Sequence, residues 1–173
     1  MTILKNCEVW YCRLDPNRPN PALRPDNPTW ELQIRTQDKA QRTEWKNAGI
    51  DVKPHREDKT DDESPVLYYY ANLKKKSISK EKTKAQPVRV VDGIQRPLDP
   101  TTIGNGSICN VRVYPYEYVY EGKKGHSVSL QAVQVVKHIV YVPDPEESFD
   151  DCETETILPE PKGAVGNHAD EDF

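Results

Sequence analysis

The side chains that could do chemistry in this sequence are arranged for holding a ligand rather than for breaking bonds. No GxxxxGK[ST] phosphate cradle occurs, and "EGKKGHS" at 121–127 has the wrong spacing for one. GxSxG and HExxH are likewise missing, so neither an activated serine nor a helical zinc pair is expected. Cys7, Cys12, Cys109 and Cys152 form no CxxC and the histidines are scattered, so the thiols are expected reduced and without metal. Asp61, Asp62 and Glu63 could attract a divalent ion, yet adjacent acids in a polar loop are ordinarily just solvated. Asn105-Gly106-Ser107 matches a glycosylation sequon but reads as a turn. No catalytic residue, metal or cofactor is expected, and the chain reads as a binder rather than an enzyme.

The positive signal is aromatic rings interleaved with cations. Tyr68-Tyr69-Tyr70 runs directly into a segment, 74–86, with six lysines (Lys74, Lys75, Lys76, Lys80, Lys82 and Lys84) and one glutamate. In "NVRVYPYEYVY" the even positions Arg112, Tyr114, Tyr116, Tyr118 and Tyr120 share a face of an unbroken strand, although Pro115 could insert a bulge and swap the faces. Lys123 and Lys124 follow in a short turn, and Arg35 and Arg89 sit on further strand-like segments. Flat rings stack on bases, at roughly 1–3 kcal/mol each, while lysine and arginine track phosphates. The competing interpretation is a half-buried tyrosine sheet with a merely solvated lysine loop. Trp10, Trp30 and Trp45 are expected in the core.

Charge is segregated. From Pro143 onward there are 11 acidic residues and one basic, Lys162; the chain's 24 Lys+Arg and 28 Asp+Glu then leave 23 and 17 for residues 1–142, a body of +6 and a tail of −10. A body that attracts polyanions is thus joined to a segment that resembles one. Positions 1–12 lack the pattern of a signal peptide and no stretch approaches the ~20 apolar residues of a membrane helix, so a cytoplasmic location without membrane contact is expected.

The elements that must position these groups are mostly strands. Segments 7–14, 29–36, 65–73, 87–93, 107–120 and 127–142 have strand patterns, with 121–126 as the connecting hairpin loop. Residues 37–49, with an early aspartate and a closing Gly49, predict one short helix. Five prolines between positions 16 and 28 make an extended loop, and 55–64 and 74–86 read as loops. The expected fold is mostly β, a small OB-like Greek-key barrel over 1–142 with one short helix and long loops, followed by a disordered acidic tail over 143–173. A β-sandwich fits the pattern nearly as well.

An OB-type body followed by an acidic tail ending in phenylalanine resembles the single-stranded-DNA-binding proteins of tailed phages. The likeness is carried by "YYYANLKKK…PVRVVDG", by "GNGSICNVRVYPYEYVYEGKKGHSVSLQAVQVV" and by the final "DEDF". It covers roughly 65–142 plus the tail, while the proline-rich loop at 15–28 departs from the family. The resemblance implies a protein that coats single strands with low sequence preference in phage DNA replication, recombination and repair. It implies that Asp170, Glu171, Asp172 and Phe173 contact replisome proteins such as a polymerase or helicase, and that the tail often mediates homodimers; the segregated charge itself implies that the tethered tail occupies the basic body when DNA is absent and so regulates binding. Duplex DNA stays open as a ligand, since phosphate contacts alone tolerate it. Two other readings stay open as well, an RNA-binding domain and a protein-interaction adaptor whose acidic tail is the functional element.

Overall fold

The computed structural model describes residues 1–141 and 149–159. Seven strands are present: β1 (Thr2–Arg13), β2 (Thr29–Thr36), β3 (Lys53–Arg56), β4 (Val66–Lys76), β5 (Arg89–Val91), β6 (Ser107–Tyr120) and β7 (Lys123–Lys137). One α-helix, α1 (Lys39–Asn47), lies between β2 and β3. The chain divides into two units, Met1–Val142 and Pro143–Phe173. All strands and the helix belong to the first unit; in the second, residues 149–159 form no regular element and are exposed.

The strands form one sheet in the order β3-β4-β2-β1-β6-β7-β5. β1, β2 and β4 form an antiparallel meander, β6 returns beside β1, and β7 folds back on β6. β4 and β7 approach each other without a ladder, which leaves a partly open barrel of the OB type, as the pattern predicts. β5 instead docks parallel on β7.

Alternation builds the core. In β2, Trp30, Leu32, Ile34 and Thr36 are buried while the residues between them are half-buried. β6 does the same with Cys109, Val111 and Val113. Trp45 is fully buried as expected, and α1 carries it there: Asp38 caps the helix through Ala40 N–H (2.9 Å) and Gly49, at φ +90°, ends it. Trp30 is also core, but Trp10 is not. It lies on the outer face of β1, half-buried beneath the Arg35 guanidinium (4.0 Å), because Cys7 and Val9 take the inward positions.

Several boundaries differ from expectation for local reasons. His55 and Arg56 belong to strand β3 rather than a loop; its four residues, one a proline, carry no apolar period. Lys74–Lys76 continue β4 because each pairs with β2, down to Lys76 opposite Thr29. The β6–β7 turn is only Glu121-Gly122, both at positive φ, so Lys123–His126 are strand residues. β7 ends at Lys137, before the expected 142. Pro115 causes no bulge: Arg112 pairs with Ala132 and Val113 with Leu130, so the extra residue is Gln131 on β7 and the even face of β6 runs on unbroken. β1 is bulged at Asn6 and Tyr11 (φ 54° and 53°), whose freed N–H groups donate to Asn110 Oδ1 and Asn105 Oδ1.

Candidate nucleic-acid interface

Past Val113 β6 leaves the core, while Val128 of β7, opposite Pro115, still packs against it. Every residue from Tyr114 to Lys124 is exposed, and the β6–β7 ribbon is held by its own ladder. Between the base of this ribbon and β4 lies a groove of about 970 Å³. Tyr70, Tyr114 and Tyr116 are its rings; Arg24, Lys53, Lys74, Lys75, Lys76 and Lys80 are its cations; Asp51 is the lone carboxylate among the lining residues. Asn72, Ser127, Ser129 and Gln131 add neutral hydrogen-bonding groups.

The register explains the arrangement. Ala71 and Leu73 point inward on β4, so Tyr70, Asn72, Lys74 and Lys76 share the outer face. Tyr114 pairs with Ser129 and Tyr116 with Ser127, which sets two rings beside two small polar residues. Lys75 falls on the inward side, where burial holds its ammonium below the usual lysine range. Glu31 stands across from Lys74, but its two oxygens accept from Asn20 Nδ2 (2.9 Å) and Thr29 Oγ1 (3.0 Å), and no ion pair joins it to Lys74. The Lys53–Asp51 contact (3.8 Å) is highly exposed and contributes little. The lining therefore keeps most of its positive charge.

The sequence-selected residues are divided by the fold. Tyr70, Lys74, Lys75, Lys76, Lys80, Tyr114 and Tyr116 meet in the groove. Tyr68 does not: it stacks on His55 (4.6 Å, 15° between planes) with the Arg35 guanidinium 4.4 Å from its ring, so Trp10, Arg35, Tyr68 and His55 form a continuous stack across the outer sheet. Tyr69 lies under Arg42 of α1 (4.6 Å). Lys82 and Lys84 sit in the 77–86 turn outside the groove lining. Tyr118 covers its cross-strand partner Gly125, and Lys123 and Lys124 lie at the ribbon tip. Arg89 and Arg112 come together in a separate depression. Asp170, Glu171, Asp172 and Phe173 lie outside the described residues. Sequence reading missed Arg24, Lys53 and Asn72, which reach the groove only through folding; the serines opposite the tyrosine ladder did carry a period-two signal.

Among solved structures, the chain is similar to the single-stranded DNA-binding protein from bacteriophage Enc34 in complex with single-stranded DNA, with a TM-score of 0.55 at 13% identity over 79% of this chain and 86% of that one. The body shares that protein's fold. A C-terminal truncation of the Enc34 protein gives a TM-score of 0.53 at 12% identity over 79% and 86% of the two chains, and the untruncated protein 0.51 at 13% over 86% and 89%. The fold is thus the one implied by the resemblance read in the sequence. No family model matches the chain, and no curated protein matches it in sequence. Among the described residues, no cluster of metal-ligating side chains occurs and no helix is long and apolar enough to cross a membrane.

Proposed function

We propose that this chain is a non-enzymatic single-stranded-DNA-binding protein that uses the groove between β4 and the β6–β7 ribbon. The observation that carries the proposal is the lining: three tyrosines and six cations against one carboxylate, on a fold shared with a protein solved with single-stranded DNA. Phosphates track the β4 lysines, Arg24 and Lys80, while bases stack on Tyr70, Tyr114 and Tyr116. Sequence preference is low, because neither stacking nor phosphate contact carries much base information.

On this reading the protein coats single strands during phage DNA replication, recombination and repair in the cytoplasm of an infected bacterium. The acidic segment from 143 competes with DNA for the basic body at high effective concentration, and its last four residues recruit replication proteins. The charge segregation of the sequence supports this role.

Fluorescence anisotropy of labelled oligo-dT, titrated with the full chain and with a chain stopped after Val142, tests the reading. Salt-sensitive binding that tightens on truncation is the expected result. If neither chain binds, the rings and lysines of the groove are merely solvated and an adaptor role replaces the DNA-binding one. Equal affinity for oligo-rU would broaden the ligand to RNA.

A further inference from the structure

The register places two arginines on either side of one small residue. Arg112 of β6 is the partner of Ala132 on β7, and Arg89 of β5 is the partner of the same alanine from the opposite edge. Partners in register project to the same face, so two guanidiniums flank a methyl group, their backbones two strand spacings, roughly 10 Å, apart. The next row sets Gln134 beside Asn110. Together with Gln95 they enclose a notch of about 180 Å³ with no carboxylate in its lining.

Among the described residues, no carboxylate pairs with either arginine. Among the described residues, Arg112 makes one polar contact, with Met1 Sδ at 3.9 Å, and Arg89 makes neither an ion pair nor a hydrogen bond. The acid closest to Arg89 in sequence, Asp92, is already held by Arg96 Nε (2.9 Å) and by the N–H groups of Ile94 and Arg96. The amide wall is fixed in place: Asn110 Nδ2 donates to Gln134 Oε1 (3.0 Å), and Gln134 Nε2 to the Gly93 carbonyl (3.2 Å). Two forked donors lining a small, carboxylate-free depression suit a tetrahedral oxyanion.

We infer that this notch is a phosphate subsite distinct from the groove, and that it receives the backbone of a strand leaving the groove. Tyr114 lines the groove and stands two residues beyond Arg112 on the same unbroken face of β6, about 7 Å along the strand. That is a single step along an extended polynucleotide. The bound strand therefore turns over Tyr114 and delivers a phosphate between Arg112 and Arg89. This path rests on the groove binding DNA; the notch itself does not.

Two experiments on the full chain keep these apart. In the first, Arg89→Ala/Arg112→Ala is compared with the unaltered protein on dT oligonucleotides of increasing length. Short oligonucleotides that fill only the groove should bind equally, whereas beyond a threshold length the double variant should bind at least about tenfold more weakly, as expected for losing charge-assisted hydrogen bonds. Equal binding at every length overturns the path. In the second, inorganic triphosphate is titrated while the Nε–Hε resonances of Arg89 and Arg112 are followed by NMR. Saturable shifts of both support the notch even if DNA binding fails altogether. Unmoved resonances overturn it.

Discussion

Replacing Lys74 and Lys76 together by alanine removes two cations from the outer face of β4 without touching the core, since Ala71 and Leu73 hold the inward positions. Single-stranded nucleic acid releases about 0.7 counterion per neutralised phosphate, so six lining cations set a limiting slope of log affinity against log salt near −4. Raising salt from about 50 to about 200 mM would then weaken binding on the order of 300-fold. With four cations left the slope falls to about −3 and the same change costs roughly 50-fold. Anisotropy titrations of labelled oligo-dT at four or five salt concentrations read both slopes directly, and thermal melting checks that the fold is intact. A double variant whose slope equals that of the unaltered protein would refute the argument, because the phosphates would then be running somewhere other than along β4.

Three further outcomes are expected. Tyr116→Ala should cost roughly 1–3 kcal/mol of oligo-dT affinity, with a nearly unchanged salt slope, if its ring stacks on a base; loss of slope instead would assign the change to ribbon collapse. Trp45→Ala should destabilise the body by about 3–5 kcal/mol, because the side chain is fully buried between α1 and the sheet; chemical denaturation measures it. Burial pushes the thiols of Cys7, Cys12 and Cys109 up to about 12 from 9.0, so under native conditions near neutral pH Ellman's reagent should titrate Cys152 alone within the fast phase. Because these folded-state values lie above the unfolded one, their contribution to stability is intact below pH 9 and is lost as pH rises from there toward 12, on the order of 1 kcal/mol per thiol per pH unit; denaturation curves flat across that window would contradict it.

What could be read from the sequence was whatever repeats with a short period. β2 alternates throughout and β6 as far as Val113, and their limits at 29–36 and 107–120 match the pattern to the residue. The cap at Asp38 and the stop at Gly49 located α1 for the same reason, since capping is a local event. β3 has no such period, and the addition of Lys74–Lys76 to β4 is dictated by pairing with β2, a partner some forty residues away. The site was half visible. Rings and lysines could be named as candidates, but the triplet Tyr68-Tyr69-Tyr70 shows how little adjacency decides. One ring stacks on His55 under Arg35, one lies under Arg42 and one lines the groove. Apolarity alone puts Trp10 in the core, whereas Arg35 covers it on the outer face. Arg24 and Lys53 join the groove through loop closure and strand order, which leave no trace in local spacing.

The two walls of the groove differ in stiffness. β4 is paired with β2 from Tyr69 to Lys76, with β3 as far as Tyr70, and is backed by the core, whereas the ribbon beyond Val113 has no further strand beside it, with a one-residue irregularity at Gln131 where it departs. Such a ribbon belongs to the low-stability end of the molecule, and its amides should exchange far sooner than those of β2. Any ligand held between the walls thus has an exit whose timing depends on the bending of one arm rather than on the breaking of every contact at once. Residence time and affinity become separately adjustable: substitutions near Gln131 alter how long a ligand stays, and substitutions on β4 alter how tightly it is held.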